Sequence, residues 1–191
     1  MKKFFMLCVA VLAAVNVFSQ SQHLSFKGVP IDGTLKSYTQ KMVEKGFVYK
    51  GTQDGVTILS GDFAGYKNCM VAVSTLKGND LVNMIAVLFT PYDTWSAVNN
   101  EYENLKDMLT EKYGTPDMKE EVFTSYVGES DDLKMLNIKS GEYKWFTTFS
   151  TPNGDIELSI VNAEYTRARV MLRYFDKQNS EKVRQAAIDD L

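Results

Sequence analysis

The chain reads as an α+β protein: an antiparallel sheet built from two tandem helix–three-strand meander units, with the helices packed on one face. Three observations predict this. Two stretches carry apolar residues at helical spacing, and each stands before a run of strands. The strand-like runs follow one another with Gly, Asn and Asp turns between them, which suits antiparallel neighbours. The order also repeats. A helix is followed by strands near 56–63, 67–75 and 81–90. A second helix is followed, after an insertion, by strands near 143–150, 155–162 and 168–176. The units span about 30–92 and 93–177, and such units can join in one sheet with both long helices on the same side.

The N-terminus comes first. Met1-Lys2-Lys3 precedes the apolar run Phe4 to Val15, and small side chains stand at Val17 and Ser19. A basic head, an apolar stretch too short to span a bilayer and a small residue before the cut describe a secretory signal peptide. Residues 1–19 are expected to be removed, leaving 20–191 as a single α+β domain in the periplasm or outside the cell. Cys8 lies too early in the run to be a lipid-anchoring cysteine at the cut. The mature chain keeps 19 basic against 24 acidic residues, a formal charge of −5 instead of −3. A mildly acidic surface repels phosphate backbones, so nucleic acid is not an expected partner. No later stretch is apolar enough for a membrane span.

Asp32-Gly33-Thr34 precedes Leu35, Tyr38, Met42 and Val43, and Gly46 follows, so 34–45 reads as an amphipathic helix. Phe47 to Lys50 is strand-like, Gln53-Asp54-Gly55 is a turn, and Val56 to Leu59 resumes the strand pattern. Leu81 to Phe89 is apolar on both faces, as in a central strand covered on both sides. The second helix, capped by Asp93 or Thr94, carries Trp95, Val98, Tyr102, Leu105 and Leu109 on one stripe. Gly114 and Pro116 end it. Glu101, Glu103, Lys106, Asp107 and Glu111 are read as its solvated face. In the insertion at 117–142, Val122 to Val127 can form a strand and Gly128 to Asp132 a polar loop. Ser180 to Asp189 reads as a short terminal helix.

Phe26-Lys27-Gly28-Val29-Pro30-Ile31-Asp32-Gly33, following a signal peptide, resembles the opening of small secreted Bacteroidetes proteins of unknown function. The resemblance implies origin and not activity. The tandem helix–meander order looks like the fold of β-lactamase-inhibitor proteins and outer-membrane-assembly lipoproteins. That fold has a pair of helices and more strands in each repeat. The likeness is architectural and carries no function with it.

Motifs for catalysis are missing. There is no Gly-x-Ser-x-Gly, no phosphate-cradling glycine loop and no His-Glu-x-x-His. The single histidine, His23, falls in an N-terminal segment expected to be loose, and Cys69 lies in a strand-like apolar run as a buried structural residue. Glu129, Asp131 and Asp132 lack the spacing of a calcium loop. No metal and no cofactor is expected.

The candidate site comes from the last hairpin. A turn at Asn153-Gly154 would set Phe149 opposite Leu158, Thr147 opposite Ile160 and Trp145 opposite Asn162. Those side chains, with Ile156, Val170, Leu172 and Tyr174, form the core side. Phe146, Glu157, Arg169, Met171 and Arg173 then point away, and arginine beside large apolar groups is the composition of an interface. The expected function is an exported, non-catalytic binding module that contacts a protein or envelope component through this face. One alternative is a periplasmic small-molecule or lipid carrier, with a cavity between sheet and helices lined by Trp95, Tyr102 or Phe149. A third is a carboxylate-based hydrolase.

Overall fold

A short hairpin opens the described structure. Lys27 and Gly28 both adopt positive φ (52° and 75°), as a tight two-residue turn between right-twisted strands requires. They join β1 (Ser25–Phe26) to β2 (Val29–Pro30). The computed structural model describes residues 22–189, apart from 76–78, 127, 165 and the side chain of Val183. The expected signal peptide, residues 1–19, lies outside the described residues.

Thr34 starts α1 (Leu35–Glu44), its hydroxyl accepting the Ser37 amide, and Leu35, Tyr38 and Met42 form the buried stripe. A four-strand meander follows: β3 (Val48–Gln53), β4 (Val56–Phe63), β5 (Tyr66–Thr75) and β6 (Val82–Leu88). Thr94 caps α2 (Trp95–Tyr113), and Gly114 ends it at φ 90°. Next come β7 (Met118–Phe123), α3 (Asp131–Ser140), β8 (Tyr143–Thr151), β9 (Gly154–Asn162), β10 (Ala168–Asp176) and α4 (Lys177–Asp189).

The large sheet is antiparallel throughout, in the order β3-β4-β5-β6-β10-β9-β8-β7. The two units therefore meet at their last strands, β6 and β10, and each places its first strand at an outer edge. Each unit holds one strand more than the expected three. The sequence marks Phe47 to Lys50 as strand-like and allows a strand at Val122 to Val127, but neither was counted in the repeat and their extents were misplaced. An edge strand is half solvated, so β3 is exposed along nearly its whole length and β7 reads Met-Lys-Glu-Glu-Val-Phe, with no clean alternation. The insertion also holds α3, which begins at Asp131, inside the polar loop expected at Gly128 to Asp132. Ser130 caps it and Gly141 ends it in the left-handed conformation, but Leu133 and Leu136 are exposed beside buried Met135 and Ile138, which blurs its stripe.

One core joins the units. It takes Leu59, Val71, Val73, Ile85 and Val87 from the first and Phe149, Ile156, Leu158, Val170 and Leu172 from the second, together with the buried stripes of α1, α2 and α3. These sheet residues share one parity along their strands, so α1, α2 and α3 all cover one face. The hairpin β1–β2 joins that layer through Phe26, whose ring lies 5.4 Å from that of Tyr174.

The last hairpin corrects the expected register. Thr151 pairs with Gly154, so Pro152-Asn153 is the two-residue turn, and Phe149 faces Ile156 while Thr147 faces Leu158. Proline pre-sets the φ of a turn's first central residue, which moves the turn one position upstream of Asn-Gly. Gly154 then lies inside the ladder at φ 153°, where any Cβ would collide with the Phe175 carbonyl oxygen. The pairing shifts by two residues. A shift of two preserves the alternation of faces, so the expected division into core and outward side chains survives.

Candidate functional site

Among the described residues, no helix layer lies over the second face of the sheet. α3 lies beside α2 on the core side, where Ser96 donates its amide and hydroxyl to Asp131. α4 leaves the end of β10 and is fixed by Asn179, whose amide nitrogen donates to the carbonyls of Ile31 and Val82. It reaches only the rim of the open face, where Ser180, Glu181 and Arg184 share a small groove with Asp155 and Phe175.

Register defines the open face row by row. In the first unit, cross-strand rows run Ser60–Met70–Leu88, Ile58–Ala72–Ala86 and Val56–Ser74–Met84. Across the β6–β10 seam they continue as Met171–Ser159–Phe146, Arg173–Glu157–Thr148 and Phe175–Asp155–Ser150. None of the first unit's nine positions carries a charge. Met84, Leu88, Met171, Phe146 and Phe175 are half-buried, shaded by their neighbours in the same layer, and Met70 is 40% exposed. Ser159 and Ala86 are small enough to be buried between larger neighbours.

All five residues expected at the site lie on this face. Glu157 and Arg173 are cross-strand partners and form an ion pair. The Arg173 guanidinium sits 5.4 Å from the Phe175 ring centre. Phe146 and Met171 flank Ser159 from either side, and Arg169 lies beyond Met171, paired with Val161. The sequence reading missed the first unit's contribution: Val56, Ile58, Met70, Ala72, Met84, Ala86 and Leu88. The signal was present in Leu81 to Phe89, apolar at odd and even positions alike. That pattern was taken for a strand covered on both sides. β6 is indeed central, fourth of eight, but only its Ile85–Val87 side lies under helices.

No protein-family model, no curated protein and no solved structure matches this chain.

Buried polar groups cluster on the helix side, and three depart from expectation. Glu101 was placed on the solvated face of α2 but is 4% exposed. Position 101 stands three residues after Val98 and four before Leu105, which puts it on the apolar stripe whatever its charge. Its Oε2 accepts the Tyr92 hydroxyl at 2.9 Å, while Oε1 has no hydrogen-bond partner among the described residues. Burial raises its carboxyl above the ordinary range, against the opposing effect of the Tyr92 bond. The same carboxylate and burial push Tyr92 up to about 12. Lys106, also expected in solvent, is largely covered and held by Glu103 and Glu121, each at 2.8 Å.

His23 is anchored, not loose. Its Nδ1 lies 3.1 Å from the fully buried Asp176 carboxylate, which also accepts the Leu24 and Asn179 amides at 2.8 Å. The carboxylate takes both neighbouring amides out of water and ties the N-terminal segment to the end of β10. Cys69 is buried on the core side, and desolvation raises its thiol.

Trp95, Tyr102 and Phe149, which would line a carrier's cavity, fill the layer between sheet and helices. The Trp95 ring packs 4.6 Å from Trp145 and 5.0 Å from Phe123, and the Tyr102 hydroxyl meets Thr147 at 2.6 Å. Among the described residues, no helix is long and apolar enough to cross a membrane, and no group of three His, Cys, Asp or Glu residues could hold a metal ion.

Proposed function

We propose that the protein is an exported, non-catalytic binding module whose open sheet face docks on another protein or proteinaceous envelope component. The observation that carries this reading is the composition of β6 against its surroundings. A strand apolar on both sides belongs between two layers. Here the described residues supply one layer, and Met84, Ala86 and Leu88 face outward in line with Val56, Ile58, Met70 and Ala72. A contiguous apolar surface rimmed by charged residues is what interfaces share. Arg173 and Glu157 border the apolar patch of the first unit across the β6–β10 seam, and Arg169 and Asp155 stand at opposite ends of the face. Export rests on the basic head and apolar run of residues 1–15.

Surface chemistry favours contact over turnover. The open face is a pleated sheet surface whose charged groups are paired or spread along one side. The buried carboxylates are already engaged, Glu101 by Tyr92 and Asp176 by backbone amides, and the half-buried Glu121 is held by Lys106. Two variants test the reading: Met84→Glu alone, and Arg169→Glu combined with Arg173→Glu. Each is expected to abolish capture of a partner from envelope extract while leaving the melting temperature unchanged. Capture that survives both changes would assign binding to the loops instead.

A further inference from the structure

We infer that the protein docked on this face is a second copy of the same chain, open face against open face with the strands of the two copies running in opposite directions. The inference rests on the docking reading above and names its occupant. Three features carry it.

The first is charge balance. The chain as a whole is acidic, with a formal charge of −3. On the open face Arg173 is paired with Glu157, and Lys144 with Glu120 at 2.9 Å. Arg169 at one end of the face and Asp155 at the other are opposite in charge and leave the sum at zero. A neutral face on an acidic molecule selects neither a strongly basic nor a strongly acidic partner, and two identical copies meet there with the least repulsion.

The second is shape. The row Met70–Leu88 runs beside the row Ala72–Ala86, a ridge beside a trough. A twofold axis lying in the interface, across the strands and between these rows, sets each strand over its own copy reversed. Leu88 of one copy then lies over Ala86 of the other, and Met70 over Ala72, so large side chains enter the space left by small ones, as in packed sheets about 10 Å apart. The same reversal carries Arg169, at one end of the face, toward Asp155 at the other end on the second copy. Their positions follow from the register, in which Arg169 pairs with Val161 and Phe175 with Asp155.

The third is size. Eight strands about 4.8 Å apart, crossed by three rows about 7 Å apart, give a footprint of roughly 750 Å². A stable interface takes about 800 Å² from each partner. The helices would lie outside, and the isologous contact closes without leaving a second open face.

Sedimentation equilibrium of the exported, processed chain over a wide concentration range tests this. The expected result is a dimer. Leu88→Glu should raise its dissociation constant at least tenfold, with the circular dichroism spectrum unchanged and melting lowered only as far as the lost association accounts for. Met108→Glu, on the exposed side of α2, should leave it as it was. Arg169→Glu should weaken the dimer, and adding Asp155→Arg should restore it, because the swap rebuilds the same pair across the axis. A chain that stays monomeric throughout, or a dimer indifferent to Leu88→Glu, overturns the inference. The docking reading then stands or falls separately. A monomer that captures a different protein, and loses it with Leu88→Glu, keeps the docking face and removes the second copy. A monomer whose captured protein is indifferent to that change removes both.

Discussion

The two units share an order of elements and differ in what they show on the open face. The first unit presents Ile58, Met70, Ala72, Met84, Ala86 and Leu88 with no charge among them. The second presents Arg173, Glu157, Asp155 and Arg169 among Met171, Phe146 and Phe175. Their helix sides differ as well. α1 buries only Leu35, Tyr38 and Met42, whereas α2 buries Glu101 within its stripe and covers most of Lys106. Equivalent architecture thus fixes where a face lies, and residue choice decides what each half of it does. The first half suits sealing against another apolar layer, and the second suits setting orientation.

The largest expected effect separates the two faces of the sheet. Leu105→Ala, under the helices and 2% exposed, should destabilise by about 2–5 kcal/mol, the usual result of emptying a buried leucine site. Leu88→Ala on the open face should cost the isolated monomer less than about 1.5 kcal/mol. Urea midpoints measure both. Equal costs would mean that the open face is already covered within the chain.

Glu101 sharpens the contrast between the helix sides. Its folded-state carboxyl is raised, so its contribution to stability is fully present below the ordinary glutamate range and is lost as pH rises through the raised value. Glu101→Gln should therefore stabilise at pH 8, by about 1–3 kcal/mol for relieving a buried charge with an unpartnered oxygen, and should be nearly neutral at pH 4. A stability gap that does not grow with pH would show that Glu101 is solvated. Glu121 has the opposite sign. Lys106 beside it holds its carboxyl below the ordinary value despite partial burial, so that contribution is present at neutral pH and fades in acid.

A smaller effect concerns the Arg173–Glu157 pair, whose side chains keep 31% and 23% of their exposure. A double-mutant cycle in the monomer should return less than about 1 kcal/mol, because a partly solvated pair gains little over water. A much larger coupling would make it a structural element of the second unit and not a contact group. Smallest in energy is Cys69, where a thiol reagent at neutral pH should label native protein slowly, since burial disfavours the thiolate.

The sequence showed most where chemistry is local. β8, β9 and β10 alternate cleanly and are joined by a turn rich in signals, and even a register misread by two left the faces correct. Capping residues Thr34 and Thr94 marked both long helices. What stayed hidden was context. β3 and β7 are edge strands, so nothing forces them to alternate and only their positions near Phe47 to Lys50 and Val122 to Val127 were read, not their extents; α3 is covered on too narrow a side to show a stripe. Glu101 was misplaced because its charge outweighed its position, and the Tyr92 hydroxyl that accommodates it comes from outside the helix. The second unit's half of the open face was legible from alternation alone. The first unit's half was not, because a strand apolar on both sides looks the same whether its second layer comes from its own chain or another.

The central claim is that another protein supplies that second layer. Photo-crosslinking tests it most directly, with a photoreactive residue at Met84 or Met171 on the open face and at Met108 on the exposed side of α2. The account predicts protein adducts from positions 84 and 171 in cells producing the chain, and none from 108. Adducts of equal yield from all three positions, or from 108 alone, would contradict it.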